Sequence, residues 1–339
     1  MSRRALLLVV TGGAVLLVAA FVGVVLATSG SSSDGLVLYS ARSHYGEEKP
    51  FEDFAKQTGE DLTIRGGSAS ELYERLRSEG KNTPADVLIT VDAANLWRAE
   101  HAGLLEPVKI DSSVPASLQD PDHEWYGLTI RARTIMRSTE RTQPTDVTTY
   151  EGLGDPEWKG RLCLRSGTSE YNVSFIADRL AKDGRAATER MLRRWMTNDP
   201  TILGSDTDVL HAIEEGRCDV GLTNSYYLGR ELADDPDFPV EPVWADQNGR
   251  GTHVNLSGLG VVRGSDHADE ARELIEFLLR PKQQEVFAQN NHEYPVVEGA
   301  QPSEEIGQFG TFKRDPIDVA GAGAHLDEAL KLMDQVGWD

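Results

Sequence analysis

Three places in the sequence carry tyrosines in a setting that suits metal chemistry, where an apolar strand-like run ends and a helical pattern begins. These places hold Tyr226-Tyr227, Tyr171 and His44-Tyr45. A tyrosine pair taken alone is more typical of core packing. A deprotonated phenol, however, is a hard anionic ligand, and a trivalent cation such as Fe(III) displaces its proton on binding. The repeated setting therefore favours a site for a hard metal ion.

The charge of such a centre points to one further residue. Four phenolates around Fe(III) leave a net charge of about −1, which a nearby cation would offset. Arg230 follows Tyr226 by about one helical turn and is the candidate for that role. Because adjacent strand residues point to opposite faces, Tyr226 and Tyr227 can reach one ion only from a turn or a first helical turn.

The elements that must position these residues alternate between strands and helices. Strand-like runs at 36–40, 62–64 and 86–90 are each followed by a helical pattern, and the alternation restarts after residue 160. This alternation predicts an α/β fold with two mostly parallel sheets and flanking helices. Two longer strand-like runs, 125–137 and 253–262, predict crossings between two lobes.

The predicted lobes enclose a cleft. We expect residues 36–131 and 255–300 to form the first lobe, and residues 132–254 and 301–339 to form the second. Ligands of open α/β sheets bind beyond the carboxyl ends of strands, at helix N-termini. His44-Tyr45 would come from the first lobe and the other tyrosines from the second, so an ion held by all of them would lie between the lobes.

The composition excludes some classes of function. The chain has 339 residues, of which 39% are hydrophobic and 26% are charged, as expected for a globular protein of about two domains. Acidic residues outnumber basic residues 55 to 34, which gives a net charge of −21. A nucleic-acid partner would require clustered lysine and arginine, so we expect none, and the negative charge favours cationic ligands.

Residues 1–35 are predicted to lie outside the fold and to direct export. Arg3 and Arg4 precede an apolar run from Ala5 to Ala27, and a Gly/Ser-rich linker follows. The end of this run resembles a signal cleavage site, whereas its length exceeds the about 20 residues that span a bilayer. The segment is therefore either a cleaved signal peptide or an uncleaved N-terminal membrane anchor, and its length favours the anchor.

The two cysteines, Cys163 and Cys218, lie in short apolar runs of the same region. An even number of cysteines in an exported chain indicates a disulfide bond. Two unrelated buried thiols are the alternative.

Several segments together resemble one protein family. The most specific are Tyr226-Tyr227-Leu228-Gly229-Arg230 and Trp158-Lys159-Gly160-Arg161. The others include, in chain order, Leu38-Tyr39-Ser40, Pro84–Leu88, Leu96–Glu100, Glu170-Tyr171-Asn172, Arg250–Asn255 and Glu293-Tyr294-Pro295-Val296. Over residues 36–339 the chain resembles the ferric-iron-binding proteins of bacterial ABC importers, which implies their two-lobed, class II periplasmic-binding-protein-like fold.

The resemblance also implies a ligand set and a role. Relatives of this type hold Fe(III) with four tyrosines and one histidine, and the matching motifs here contain Tyr45, Tyr171, Tyr226, Tyr227 and His44. The family places an arginine directly before the histidine, whereas here Ser43 separates Arg42 from His44 and lengthens the loop by one residue. The implied role is that of an extracytoplasmic monomer that passes iron to an ABC permease and its ATPase.

Other functions are open alternatives. The nearest is a solute-binding protein of the same fold for an oxyanion, a polyamine or thiamine, and an oxyanion site could use Ser166, Thr168 and Ser169 at a helix start. We expect no enzyme, because the sequence has no Gly-x-Ser-x-Gly elbow, no His-Glu-x-x-His and no glycine-rich phosphate loop. Asp86 and Asp92 are better explained as a strand start and a helix cap than as a catalytic pair.

Overall fold

The computed structural model describes residues 35–46 and 48–339, and it describes only the backbone of His44. Of the predicted signal or anchor with its linker, residues 1–35, all but Gly35 lie outside the described residues. Within the described ranges, no helix is long and apolar enough to cross a bilayer.

Ten strands form the β-sheet of the described residues. In chain order, β1 to β10 are Leu36–Ser40, Leu62–Gly66, Val87–Thr90, Tyr126–Ser138, Leu162–Arg165, Thr201–Leu203, Val220–Asn224, Val240–Val243, Val254–Val261 and Tyr294–Pro295. The order across the sheet is β2-β1-β3-β9-β4-β7-β5-β6, and β8 and β10 both pair with β4.

Helices connect and flank these strands. The α-helices of the described residues, α1 to α12, are Lys49–Thr58, Ala69–Glu79, Ala93–His101, Glu170–Asp183, Arg185–Thr197, Asp206–Glu214, Ser225–Asp234, Ala268–Leu278, Pro281–Asn291, Glu304–Gly307, Val319–Ala324 and Leu326–Val336. Short 3-10 helices occur at Ser43–Tyr45, Gly80–Asn82, Ala116–Leu118, Glu151–Gly154 and Pro156–Trp158.

Strand β4 runs through the middle of the sheet and is buried along its whole length. Its residues 126–132 pair with β9, and its residues 133–137 pair with β7. We call β2, β1, β3 and β9, with the helices that pack on them, the first half, and β7, β5 and β6, with their helices, the second half. The prediction of a long crossing strand near residue 130 is confirmed, whereas the exact lobe boundaries stay a prediction.

The α/β class with flanking helices is confirmed, but the arrangement of the strands differs from the one expected. In each half the outer strands are parallel, since β1 pairs with β2 and β3, and β5 pairs with β6 and β7. The central strands are antiparallel, since β9 pairs with β3 and β4, and β4 with β7. The strands thus form one continuous mixed sheet rather than two mostly parallel sheets, because β4 belongs to both halves.

Each half has its own hydrophobic core. The first core includes Phe54 of α1, Leu88 of β3 and Phe277 of α8. The second core includes Phe175 of α4 and Trp195 of α5. Burial of aromatic side chains of this size supplies much of the driving force for folding, so each half has a packed scaffold behind the ends of its strands.

Local capping signals set two helix starts in the first half. Ser68 and Glu71 form the predicted capping box at α2, in which each side chain accepts a hydrogen bond from the other's backbone N–H. Asp92 accepts a hydrogen bond from the backbone N–H of Asn95 at α3, and Asp86 accepts one from the backbone N–H of Val37. Asp86 and Asp92 are therefore structural, as expected.

Cys163 and Cys218 form a disulfide bond, with their Cα atoms 5.8 Å apart. Cys163 lies in β5, and Cys218 lies two residues before β7, the strand that pairs with β5. The disulfide therefore links β5 to the segment that enters β7, and these two strands precede the tyrosine-bearing helices of the second half.

Removal of this disulfide should lower stability without changing the fold. In a Cys163→Ala/Cys218→Ala variant we expect the free energy of unfolding to fall by about 4 kcal/mol, because the bond closes a long loop in the unfolded chain. Urea unfolding followed by circular dichroism measures this change. The wild-type protein in reducing agent should match the variant, and a variant as stable as the oxidised protein would contradict the assignment.

Candidate metal centre

The structure brings all four predicted tyrosines together. The hydroxyl of Tyr226 donates a hydrogen bond to the hydroxyl oxygen of Tyr171, with the two oxygens 3.2 Å apart. The ring centroids of Tyr45 and Tyr226 are 5.6 Å apart, and those of Tyr226 and Tyr227 are 4.2 Å apart. Residues from three distant parts of the sequence thus form one cluster of phenols.

The strand order explains why these residues meet. Tyr45 follows β1, Tyr171 is the second residue of α4 after β5, and Tyr226 and Tyr227 are the second and third residues of α7, which directly follows β7. All three strands therefore direct their carboxyl ends towards the same region, as ligand sites of α/β sheets require. Tyr226 and Tyr227 lie in a first helical turn, as predicted.

His44 lies in the same short 3-10 helix as Tyr45, Ser43–Tyr45. Its side chain is outside the described part of the structure, so its role as a ligand stays a prediction. The additional residue, Ser43, lies against Gly66 of β2, where a Cβ atom would be only 2.7 Å from the Cβ of Ser43. The absence of a side chain at Gly66 therefore leaves space for the lengthened loop.

Arg230 lies where a counter-charge for the cluster would be needed. Its guanidinium carbon is 4.8 Å from the ring centroid of Tyr45, 5.1 Å from that of Tyr226 and 5.7 Å from that of Tyr227. These distances are in the range of cation–π contacts. Its role at a metal stays a prediction.

Three further arginines, which the sequence did not reveal, also face the phenols. The guanidinium carbon of Arg42 is 4.4 Å from the ring centroid of Tyr45. Those of Arg131 and Arg165 are 5.7 Å and 5.4 Å from the ring centroid of Tyr171. The phenol cluster is therefore surrounded by positive charge, although the chain as a whole is strongly acidic.

Buried carboxylates hold two of these arginines in the first half. Glu293 accepts hydrogen bonds from Arg42 at 2.8 Å and from Arg131 at 3.0 Å, and Glu48 pairs with Arg42 at 2.7 Å. Burial by itself would raise the pKa of Glu293, but the charges of Arg42 and Arg131 lower it to about 2. Glu293 is therefore ionised at neutral pH and ties the Tyr45 loop to β4.

A second buried network lies in the other half. Asp206, at the start of α6, pairs with Arg133 at 2.9 Å and with Arg165 at 2.8 Å. Arg133 also donates hydrogen bonds to the side-chain oxygens of Asn172 and Asn224. Asn172 directly follows Tyr171, and Asn224 directly precedes α7, which carries Tyr226 and Tyr227. The network therefore fixes the backbone next to three of the tyrosines.

Burial sets the protonation of the phenols. It raises the pKa of all four tyrosines above the ordinary value of 10.0. The charge of Arg131 acts in the opposite direction and lowers the pKa of Tyr45, Tyr171 and Tyr226. The phenols are thus protonated at neutral pH, and a strongly charged cation is needed to displace their protons.

A cavity of about 410 Å³ lies at the start of α4, and none of the four tyrosines lines it. Its walls include Ser166, Thr168 and Ser169, the candidate oxyanion donors, and also Arg165 and Glu170. Burial raises the pKa of the Glu170 carboxyl to about 7, and the negative charge of Asp92 adds to this effect.

The described residues contain no cluster of three or more His, Cys, Asp or Glu side chains that could hold a metal ion. His253 and His292 hydrogen-bond to Asp178 at 3.1 Å and to Ser303 at 3.0 Å, respectively. The tyrosine cluster is therefore the strongest candidate for a metal centre in the described part of the chain.

Comparison with known proteins identifies similar chains. Residues 49–316 match the family model for bacterial extracellular solute-binding proteins. The chain is 40% identical to Iron uptake protein A1 of Synechocystis sp., over 89% of this chain and 86% of that protein, and 38% identical to Iron uptake protein A2 of the same organism, over 89% of each.

Solved structures resemble the fold closely. A Trichodesmium protein, IdiA (FutA), in complex with iron and citrate ligands has a TM-score of 0.82 at 39% identity, covering 90% of this chain and 100% of that one. The ferric binding protein of Campylobacter jejuni has a TM-score of 0.83 at 32% identity, with the same coverage.

Loss of the charge on Glu293 should destabilise the protein strongly. In a Glu293→Gln variant, Arg42 and Arg131 stay buried without their shared carboxylate, and we expect the free energy of unfolding to fall by about 3–5 kcal/mol. Urea unfolding of the metal-free protein measures this change. Glu298→Gln removes the same charge at a neighbouring exposed position and should have almost no effect; equal stability of the two variants would contradict the network's importance.

Proposed function

This chain belongs to the bacterial extracellular solute-binding proteins, and on that premise we propose that it captures ferric iron between its two halves and delivers it to an ABC importer. The observation that carries the proposal is the convergence of four tyrosines from both halves at the carboxyl ends of three strands. A set of phenolate oxygens suits a hard trivalent ion.

The proposed ligands are the phenolate oxygens of Tyr45, Tyr171, Tyr226 and Tyr227, with the imidazole of His44 as a fifth. The iron displaces the phenolic protons as it binds, and the excess negative charge is offset by Arg230 and by the more deeply buried Arg131. Because Tyr45 comes from the first half and the other tyrosines from the second, iron links the halves. Ferric iron is the cargo, and the protein binds and releases it without catalysis.

The surrounding charges argue against some alternative ligands. A polyamine and thiamine are both cationic but do not displace phenolic protons, so four arginines around protonated phenols would repel them. A small oxyanion is the alternative with structural support, because Ser166, Thr168 and Ser169 line the cavity at the start of α4. An oxyanion ligand, however, does not account for the cluster of four phenols.

We place this protein outside the cytoplasmic membrane, exported by its N-terminal segment and acting as a monomer. Its partners are the permease and the ATPase of an ABC importer. The two lobes, 36–131 with 255–300 and 132–254 with 301–339, close on the ion.

Iron loading should produce a visible colour that depends on the paired tyrosines. With ferric citrate, we expect the wild-type protein to develop an orange-red band from charge transfer between phenolate and iron. Tyr226→Phe/Tyr227→Phe should lose most of this band, because two of four phenolates are removed. Tyr73→Phe, at a buried tyrosine outside the cluster, is the control; an unchanged band in the double variant would refute the assigned ligands.

The affinity for iron should fall as the pH falls. Because the pKa of each phenol is raised above 10.0, the phenols are protonated across the neutral range, and each one that coordinates must release a proton. Affinity should therefore fall by roughly tenfold per pH unit for each proton released. Competition titrations between pH 8 and pH 5, corrected for protonation of the competing chelator, measure this, and a flat profile would contradict phenolate ligation.

A further inference from the structure

One carboxylate spans the cleft immediately beside a proposed ligand. Glu170 is the first residue of α4, in the second half, and directly precedes Tyr171. Its Oε2 atom accepts a hydrogen bond of 3.2 Å from the backbone N–H of Ala69. Ala69 is the first residue of α2 and is fully buried in the core of the first half. The contact therefore joins the two halves.

We propose that Glu170 is a positioning residue that clasps the two halves together by capping the N-terminus of α2, and that it thereby holds Tyr171 in place and slows the loss of iron. The proposal rests on the proposed function, since it concerns retention of the same cargo.

The chemistry of the helix end explains why a carboxylate is suited to this position. The first backbone N–H groups of a helix have no partner within the helix, and the end carries a partial positive charge. At α2 the capping box satisfies the N–H groups of Glu71 and Ser68. The N–H of Ala69, which lies between these two residues, instead donates a hydrogen bond to the carboxylate of Glu170 from the other half. The contact thus gives a helix-end N–H a hydrogen-bond acceptor from the other half.

A second contact between the halves joins α3 and α11. Trp97 of α3 packs against Gly323 of α11, where an added Cβ atom would be only 2.3 Å from Cε3 of the indole. Ala322, next to Gly323, packs in the core of the second half. A side chain at position 323 would therefore separate the halves without touching the tyrosines, which provides an independent way to perturb closure.

The contact of Glu170 exists only while the halves are together. Ala69 is held in the first half because it is buried in that core, and Glu170 is held in the second half because it lies in the first turn of α4. When the halves separate, the bond is lost and water hydrates both groups. Glu170 thus contributes to the closed, iron-loaded state and not to the folding of either half, which distinguishes a positioning role from a structural one.

The test compares the full-length variants Glu170→Gln and Gly323→Ala with the wild-type protein and with Glu273→Gln, which removes a charge at an exposed position of α8. Each is loaded with ferric citrate. Four properties are measured: the visible band, the rate of iron release to excess EDTA, the radius of gyration of the loaded protein by X-ray scattering, and the urea unfolding of the iron-free protein.

We expect Glu170→Gln to keep the wavelength of the band and the stability of the iron-free protein, but to release iron roughly fivefold faster and to be less compact when loaded. Gly323→Ala should also release iron faster, whereas Glu273→Gln should behave as the wild type. These results together would support the clasp.

Other results would overturn it. Release at the wild-type rate from Glu170→Gln, even if Gly323→Ala accelerates release, would mean that Glu170 does not hold the halves. A shifted band would mean that Glu170 touches the metal, and a matching loss of iron-free stability would mean that its role is structural. A wild-type protein that develops no band with ferric iron would refute the proposed function itself, and the clasp with it.

Discussion

Two buried ion pairs on one strand organise the molecule. Arg131 and Arg133 lie two residues apart on β4 and therefore on the same face. Arg131 pairs with Glu293 in the first half, and Arg133 pairs with Asp206 in the second. A guanidinium that is removed from water is tolerated only when it is paired and hydrogen-bonded. The strand therefore cannot shift in either half without leaving a charge unpaired.

The same buried charges affect how readily the phenols of the cluster ionise. Four phenols buried together would resist ionisation, and burial does raise the pKa of each one. The arginines around them favour the ionised form, and the carboxylates behind keep those arginines in place. The result is a cluster of phenols that keep their protons at neutral pH. In the proposed metal site, this arrangement would discriminate between ions by their charge as well as by the identity of the donor atoms.

Much of the site could be predicted because its signals are local. Tyr226 and Tyr227 at a strand-to-helix junction, and the capping box of Ser68 and Glu71, each depend on residues a few positions apart. Arg131 and Glu293 could not be paired in this way, since 162 positions separate them. The one available signal was a charged side chain in a strand otherwise patterned for burial, which indicates a partner without identifying it.

The sequence by itself determined the α/β alternation, the long crossing strand and the tyrosines that form the cluster, because periodicity and residue type act over short distances. It also supplied both cysteines of the disulfide. Only the tertiary structure decided that the strands form one continuous mixed sheet, that four arginines face the phenols, and that Glu170 meets the start of α2. These features depend on which distant segments become neighbours, and that is set by strand order and by the pairing of buried charges.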